Sequence, residues 1–376
     1  MKYPIGIQQF EENRLGDWIY VDKTAHIYNL AAGGKYFFLS RPRRFGKSML
    51  LSTLEAYFQG KKHLFKGLAI EQLETEWAEH AVLHLDLNAE KYTTQEDLTN
   101  ILDTYLREWE EKYESPEREN PSLSQRFRSV IRAAKQKSGR NVVVLVDEYD
   151  KPMLQAIGNE ELQTEFRNAL KAFYGVLKSA DGDLRFAMLT GVTKFNKVSV
   201  FSDLNNLNDI SMDDCYNEIC GISQQELYDI FDEEIGKLAI ANEQSKEEAY
   251  KTLRHRYDGY HFCPNAQGMY NPFSVLLALQ KREYGSYWFS TGTPTYLVQL
   301  MKEADLNPYA LSGYEASGSE LDSIQISVDN PIAVLYQSGY LTIKGYDSRF
   351  KVYTLDYPND EVKEGVKHLT RYVNAR

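Results

Sequence analysis

The sequence predicts an α/β fold in which a parallel sheet is flanked by helices. In the first half of the chain, short apolar runs alternate with amphipathic segments, which is typical of strands joined by helices. The run at residues 142–146 is the longest uninterrupted aliphatic stretch, as expected for a strand buried on both faces of a sheet. We therefore expect this strand to lie centrally in the sheet.

The first elements follow one another in a regular order. Residues 36–39 are predicted to form a buried strand, and apolar residues then recur at helical spacing between residues 50 and 58. Residues 81–88 are predicted to form a second strand. Thr94 and Asp97 resemble a capping box at the start of the next helix.

The alternation continues to about residue 190. A helix is predicted from residue 123 to Gly139, because glycine favours the position that follows a helix end. Residues 142–146 form the next strand, residues 161–178 the next helix and residues 184–189 a further strand. This order predicts a parallel sheet with helical crossovers.

The pattern changes after about residue 215. Ser223 and Glu226 form a second capping-box pattern, and the chain is then mostly helical to about residue 310. Residues 332–343 and 351–355 suggest the end of a helix and short strands, which would suit a small winged-helix unit. The predicted domains are residues 1–215, a helical lid at residues 216–310 and a winged-helix-like region at residues 311–376.

Length and composition indicate a globular protein of two or three domains. The chain has 376 residues, of which 43% are hydrophobic and 26% are charged, and a formal net charge of −11. The acidic balance argues against a broad nucleic-acid-binding surface but leaves a local basic patch open. Because no apolar run approaches the ~20 residues of a membrane helix and no export signal is visible, we expect a cytoplasmic protein without membrane contact.

The strongest functional signal is Ser-Arg-Pro-Arg-Arg-Phe-Gly-Lys-Ser at residues 40–48, between a predicted strand and a predicted helix. Backbone amides and a helix N-terminus bind phosphates in this context. Lys47 is expected to neutralise the β- and γ-phosphates of a nucleotide, and Ser48 to offer its hydroxyl to Mg²⁺. Arg41 occupies the first glycine position of the Gly-x₄-Gly-Lys-Ser/Thr pattern and Pro42 fixes φ beside it, so the turn must be built differently.

Phosphate binding also explains the dense basic cluster that Arg41 forms with its neighbours. The predicted nucleotide-binding residues are Arg43, Arg44, Phe45, Gly46, Lys47, Ser48 and Met49.

A second signal, Asp147-Glu148, closes the strand at residues 142–146. An aspartate at the carboxyl edge of a sheet can hold Mg²⁺, and an adjacent glutamate can orient the attacking water as a general base. Successive side chains of a strand point to opposite faces, so the two carboxylates should differ in role. We predict that Asp147 joins Ser48 as a metal ligand and that Glu148 is catalytic.

A third polar segment follows the next predicted strand, beside the strand that carries Asp147. Thr190 or Thr193 could sense the γ-phosphate, and a local capping role is equally open. Lys194 and Lys197 could act on phosphates or remain solvated. The predicted catalytic residues are Glu148, Lys47 and Thr190.

These motifs and the segments around them resemble the predicted AAA-ATPase-like family, and the resemblance covers nearly the whole chain. An arginine in place of the first glycine is usual in that family. The matching segments are Pro4-Ile5-Gly6-Ile7, Tyr20-Val21-Asp22-Lys23-Thr24, residues 39–48, residues 145–152, residues 190–195, residues 201–207, residues 257–262 and Tyr270-Asn271-Pro272.

The resemblance implies an ASCE-type P-loop ATPase module related to signal-transduction (STAND-like) NTPases, with ATP and Mg²⁺ as ligands. Such proteins usually continue into a PD-(D/E)-x-K nuclease-like domain, which would be expected to begin near residues 355–359. Glu361-Val362-Lys363 has the Glu-x-Lys spacing, but no strand-borne Pro-Asp precedes it. We therefore expect no nuclease site in this chain.

The expected function is binding and hydrolysis of MgATP, with the nucleotide state passed through the lid to an unknown protein partner or fused effector. Genome defence or nucleic-acid processing is left open as the setting, as are an indirect nucleic-acid partner and a homo-oligomer. The alternative is a nucleotide-gated binding or signalling switch with negligible hydrolysis. By analogy with related ATPases, we expect adenine to lie against residues 5–24.

Overall fold

A five-stranded parallel sheet forms the centre of the first half of the chain. The computed structural model describes residues 1–116, 119–194, 206–292, 300, 307–322 and 331–374. The strand order is β2-β3-β4-β1-β5, and each neighbouring pair is parallel, which confirms the predicted α/β class. The strands are β1 (Tyr36–Ser40), β2 (Val82–Asp86), β3 (Val142–Asp147), β4 (Leu184–Gly191) and β5 (Asn208–Asp209).

The strand β3 is an interior strand, with β2 on one side and β4 on the other. All of its residues are buried, so both faces of the sheet are covered at this strand. The middle position of the sheet belongs to β4 rather than to β3. The carboxyl ends of β1, β3 and β4 therefore meet at one edge of the sheet, where polar residues follow each strand.

In the described part of the chain up to residue 194, seven α-helices flank and connect these strands. The capping box of Thr94 and Asp97 is confirmed at the start of α4, and Gly139 ends α5 with φ +71°. Each such cap typically stabilises a helix by about 1 kcal/mol. The helices are α1 (Phe10–Leu15), α2 (Thr24–Gly33), α3 (Lys47–Phe58), α4 (Gln95–Tyr113), α5 (Leu123–Ser138), α6 (Lys151–Gln155) and α7 (Glu160–Ser179).

A helical region with its own apolar core follows. The predicted capping box of Ser223 and Glu226 is confirmed at the start of its first helix. Tyr3 packs into this core, and its hydroxyl donates to Glu234 Oε2 at 2.8 Å, so the N-terminal segment contacts the helical region. The helices are α8 (Gln224–Ala241), α9 (Lys246–Tyr257), α10 (Pro272–Lys281) and α11 (Tyr287–Gly292).

The C-terminal region contains a three-stranded antiparallel sheet with the order β6-β8-β7. The predicted helix end and the two later strands are confirmed, whereas β6 was not predicted. The strands are β6 (Tyr314–Ser317), β7 (Thr342–Asp347) and β8 (Val352–Asp356), and the helices are α12 (Gly318–Asp322), α13 (Pro331–Gln337) and α14 (Asp360–Asn374).

The C-terminal region lies directly against the loop that follows β1. Gly339 has φ +86°, and a Cβ atom at this position would lie only 2.6 Å from Pro42 Cγ. Nearby, Gln337 Oε1 accepts from the backbone N–H of Lys194 at 2.6 Å, and Gln337 Nε2 donates to the carbonyl oxygen of Leu321 at 2.6 Å. The C-terminal region therefore touches the chain just beyond β1 and just beyond β4.

Glu361, on α14, is fully buried and accepts hydrogen bonds from the N–H groups of Trp288 and Phe289 at the start of α11. It is a packing and hydrogen-bonding residue of the interior. Burial raises its pKa to about 7 from its usual 4.5.

We expect Glu361→Gln to remove a pH dependence of stability. Because the folded pKa of Glu361 lies above its unfolded value, folding takes up a proton between about pH 4.5 and pH 7, and the stability present at low pH is lost as pH rises. The shift corresponds to roughly 3 kcal/mol. Thermal unfolding from pH 4.5 to 8 should show the wild type losing stability relative to Glu361→Gln, whereas Glu364→Gln, at an exposed carboxylate of the same helix, should follow the wild type. Parallel curves for wild type and Glu361→Gln would contradict this prediction.

Among the residues described, no helix combines the length and the apolar character that crossing a membrane requires.

Candidate active site

Residues 41–46 form the loop between β1 and α3, which we call the phosphate loop. Gly46 has φ +100°, a conformation that glycine adopts without strain, and a Cβ atom there would meet nothing within 4 Å. Lys47 and Ser48 are the first two residues of α3. The unpaired amide groups of the first turn of a helix are suited to binding an anion.

A cavity of about 420 Å³ adjoins the phosphate loop. Its volume falls within the roughly 300–1,000 Å³ typical of small-molecule sites. Three other parts of the chain complete its walls: the N-terminal segments, a short segment after the sheet, and α10. The lining includes residues 43–50, 4–8, 19–21, Lys23, 219–222, Pro272, Phe273 and Leu276, together with Asn88 and Glu148.

Lys47 is buried, and its ammonium group lies at the cavity wall. Its Nζ lies 3.1 Å from Glu148 Oε1 and donates to the carbonyl oxygens of Arg41 and Pro42 at 3.1 and 3.3 Å. The predicted phosphate-binding cation and the predicted general base are therefore paired with each other.

The carboxylate of Asp147 joins two of the predicted site residues. Ser48 Oγ donates to Asp147 Oδ2 at 2.5 Å, and Thr190 Oγ1 donates to Asp147 Oδ1 at 2.7 Å. Ser48 lies in the first turn of α3, Asp147 ends β3 and Thr190 lies near the end of β4. The fold thus brings together three residues that are far apart in the sequence.

The donor set at Ser48 and Asp147 suits Mg²⁺. A hydroxyl and a carboxylate are hard oxygen ligands, and Mg²⁺ is usually held by one or two such protein groups together with substrate phosphates. The hydrogen bond between the two side chains shows that their oxygen atoms lie next to each other, close enough to contact one metal ion beside the phosphate loop.

Glu148 follows the end of β3 and has a left-handed backbone, with φ 51°. Such a conformation costs a non-glycine residue on the order of 1 kcal/mol and is often found at functional sites. The turn directs Glu148 to Lys47, whereas Asp147 is directed to Ser48 and Thr190. The two carboxylates have different partners because of this turn and not because of strand alternation, since β3 already ends at Asp147.

Asp150 is a buried carboxylate that the sequence interpretation did not single out. Its Oδ2 accepts from the N–H groups of Val192 and Thr193 at 3.0 and 2.6 Å, and from Thr193 Oγ1 at 2.7 Å. Burial, and secondarily the charge of Glu148, raise the pKa of Asp150 to about 6. The only sequence signal was a further acidic residue shortly after Asp147.

The segment after β4 divides its polar groups between two carboxylates. Thr190 contacts Asp147, whereas the hydroxyl of Thr193 is directed to Asp150. Lys194 Nζ forms an ion pair with Asp209 at 2.8 Å. Thr190 therefore contacts the proposed metal ligand Asp147. Thr193 and Lys194 contact Asp150 and Asp209 instead. Lys197 and residues 201–205 lie outside the described residues.

The expectation that Arg41 contributes to a phosphate-binding basic cluster is wrong. Its guanidinium is buried and donates to the carbonyl oxygens of Ser40, Ser211 and Tyr216 at 2.8–3.1 Å. It also lies 3.9 Å from the centre of the Phe262 ring. Backbone carbonyls accept from both terminal nitrogens and a ring face contacts the guanidinium, whereas the buried Nε has no hydrogen-bond partner among the described residues; the side chain is part of the interior.

The remaining predicted nucleotide-binding residues line the cavity in different ways. The ring of Phe45 is buried against Tyr260, at a centroid distance of 4.8 Å, so only its backbone is available to a ligand. The guanidinium of Arg44 lies 4.1 Å from the centre of the Phe273 ring. Arg43 and Met49 are half-buried residues of the cavity wall.

Comparisons with known proteins identify relatives of this chain. A family model described as "Predicted AAA-ATPase" matches residues 4–201, a range that includes the phosphate loop, Asp147, Glu148 and Thr190. An uncharacterised protein from the vnfD 5′ region of Azotobacter chroococcum mcd 1 is 40% identical over 381 residues. That alignment covers 99% of this chain and 70% of the relative.

Two solved structures show a distant similarity. Cdc6p from Pyrobaculum aerophilum is 10% identical with a TM-score of 0.28, covering 99% of this chain and 94% of its own. The Aeropyrum pernix Orc1 protein, solved in complex with DNA, is 13% identical with a TM-score of 0.29, covering 94% of this chain and 92% of its own. TM-scores this low support no inference about this chain.

Proposed function

Because the chain belongs to the predicted AAA-ATPase-like family, we propose that it binds MgATP in the cavity beside the phosphate loop and hydrolyses it. The observation that supports this most is a connected set of side chains beside the cavity: Lys47, Ser48 and Glu148 line it, and Asp147 and Thr190 lie directly behind Ser48. They come from the ends of β3 and β4 and from the start of α3. This is the set of groups that phosphoryl transfer to water requires.

Phosphate binding is assigned to the loop and to Lys47. The amide groups at the start of α3 donate to phosphate oxygens, and the buried Lys47 ammonium supplies positive charge beside them. Ser48 and Asp147 would hold the metal ion. Mg²⁺ would neutralise charge on the phosphates and orient them for attack.

Glu148 is the proposed general base for the attacking water. In this structure its carboxylate forms an ion pair with Lys47, the same cation that would bind phosphate. When Lys47 turns to phosphate, the carboxylate loses this partner and can accept a proton from water. Thr190 holds the carboxylate of Asp147 from the opposite side to Ser48, which positions it toward the metal site.

The alternative of a nucleotide-gated switch is favoured by the same ion pair. A chain in which Glu148 stayed paired with Lys47 would bind nucleotide without turning it over. Calorimetry with MgATP, combined with phosphate release under single-turnover conditions, separates the two functions. Binding with hydrolysis supports the ATPase, binding without hydrolysis supports the switch, and the absence of binding rejects both.

We propose that the adenine base of ATP lies against the N-terminal segments. Ile5, Ile7, Ile19 and Val21 supply an apolar part of the cavity wall. We expect Ile7→Asp to weaken ATP binding about tenfold, because a carboxylate there replaces apolar contact and must be desolvated. Leu15→Asp, at an exposed position, should bind ATP as the wild type does. A nucleotide-bound structure with the base far from residues 5–24 would contradict this placement.

We also propose that the chain divides into domains at residues 215 and 310, and that residues 311–376 are winged-helix-like. The order of β6, two helices, β7 and β8 supports that character. We further propose that nucleotide state reaches a protein partner or effector through the lid and this region, in genome defence or nucleic-acid processing. The contacts of Gln337 and Gly339 beside the active site support such a route.

A further inference from the structure

Trp288 lies where the phosphate loop, the lid and the C-terminal region meet. Its side chain is only 1% exposed and is among the largest fully buried ones of the described chain. The indole Nε1–H donates to the backbone carbonyl oxygen of Arg43 at 2.9 Å. This hydrogen bond joins α11 directly to the phosphate loop.

The ring of Trp288 is held by aromatic side chains from two regions. Its centroid lies 5.1 Å from that of Tyr340, in the C-terminal region, and 6.2 Å from that of Tyr260, in the lid. Tyr260 in turn packs against Phe45 of the phosphate loop, with a centroid distance of 4.8 Å. A displacement of the C-terminal region would therefore move the indole relative to the loop.

The backbone of Trp288 is held by α14. Its N–H donates to Glu361 Oε1 at 2.7 Å and, at the longer distance of 3.2 Å, to Ser274 Oγ on α10, which itself donates to Glu361 Oε2 at 2.8 Å. Gly365 allows α14 this close approach, because a Cβ atom there would lie 2.3 Å from the ring of Phe289. Contacts with α14 thus fix the position of Trp288, and its indole hydrogen bond in turn fixes the carbonyl of Arg43.

The direction of the Arg43 carbonyl matters for phosphate binding. A phosphate loop binds through backbone N–H groups, and a carbonyl oxygen turned toward a phosphate would repel it. The indole N–H holds the Arg43 carbonyl on the α11 side of the loop. The bond therefore favours loop conformations in which the neighbouring N–H groups are free to bind an anion.

We infer that Trp288 is a positioning residue for the phosphate loop and that, through Glu361, it couples ATP affinity to the C-terminal region. The inference rests on the proposed function, and it involves residues that lie beyond the range matched by the family model. Trp288 and Glu361 act on the loop through hydrogen bonds and are given no contact with the nucleotide.

The first test removes the indole N–H. We expect Trp288→Phe to weaken MgATP binding roughly five- to tenfold by calorimetry, the effect of one lost hydrogen bond, while kcat at saturating ATP stays unchanged. An ATP-induced change in tryptophan emission should vanish in Trp288→Phe. It should persist in Trp109→Phe, the matched control, because Trp109 is also buried but lies on α4.

A replacement of Trp288 by 3-benzothienylalanine keeps the shape of the indole and exchanges only N–H for sulfur. It answers the same question if Trp288→Phe folds poorly. Affinity equal to that of the wild type in this variant would overturn the inference, whereas a loss of similar size to that in Trp288→Phe would support it.

The second test asks whether Glu361 acts through Trp288. Glu361→Ala should also weaken ATP binding, whereas Glu361→Gln, which keeps an acceptor for the Trp288 N–H, should not. The double variant Trp288→Phe/Glu361→Ala should bind no more weakly than Trp288→Phe alone. Additive losses would indicate general destabilisation and overturn the coupling. Failure of the wild type to bind ATP would reject the proposed function itself, whereas wild-type binding with unchanged variants rejects only this inference.

Discussion

Lys47→Ala is expected to abolish ATP binding while the chain remains folded. The substitution removes the buried cation at the phosphate loop and leaves Glu148 without its partner beside the site where phosphate would bind. The loss of a charge-assisted contact typically costs about 1.5–3 kcal/mol, and the unpaired carboxylate adds repulsion, so we expect affinity to fall at least about 100-fold. Calorimetry with MgATP measures this loss directly.

Lys135→Ala is the matched control. Lys135 forms an ion pair with Asp183 at 2.9 Å, away from the cavity, and its removal should leave ATP affinity unchanged. Circular dichroism and thermal unfolding should show that both variants are folded. If Lys47→Ala bound ATP like the wild type, the phosphate-loop interpretation of residues 41–48 would have to be abandoned.

Glu148→Gln is expected to bind MgATP and to hydrolyse it about 10²–10⁴ times more slowly. Glutamine keeps the shape of the side chain but cannot take a proton from water, and the loss of a positioned general base has an effect of this size. The pairing of Glu148 with Lys47 rather than with Ser48 separates it from the proposed metal ligands. Single-turnover hydrolysis and equilibrium binding, measured on the same preparation, test both parts.

Asp147→Asn is the informative counterpart. We expect it to weaken Mg²⁺-dependent binding, because the neutral amide still reaches Ser48 and Thr190 but supplies no charge to the metal ion. In the presence of a chelator its ATP affinity should equal that of the wild type. Equal binding defects in the two variants, or normal hydrolysis by Glu148→Gln, would defeat the division of roles and favour the switch.

Local rules predicted much of the fold from the sequence. The capping box at Thr94, the glycine stop at residue 139 and the apolar run of β3 each depend on residues close in the chain, so the pattern was visible before any packing was known. The short strand β6 was missed because its sequence, Tyr-Glu-Ala-Ser, has little apolar character, and it is stabilised by pairing with β8.

Part of the candidate site could likewise be predicted from the sequence, and part could not. The motif at residues 46–48 and the Asp147-Glu148 pair were recognisable because spacing and strand context define them. The inward direction of Arg41 depends on carbonyl groups at Ser211 and Tyr216, and the role of Asp150 depends on amide groups beyond β4. Tertiary contacts of this kind leave no periodic trace in the sequence.

The anchoring of Arg41 has a consequence for the order in which the candidate site forms during synthesis. The ribosome completes residues 41–48 early, but two carbonyl groups that satisfy the Arg41 guanidinium belong to Ser211 and Tyr216. A nascent chain that ends before them would have to bury a cation with part of its hydrogen bonding missing, which is costly, so Arg41 would stay hydrated and the loop unfinished. We therefore expect the phosphate loop to reach its final conformation late in translation, once the chain beyond the sheet has emerged.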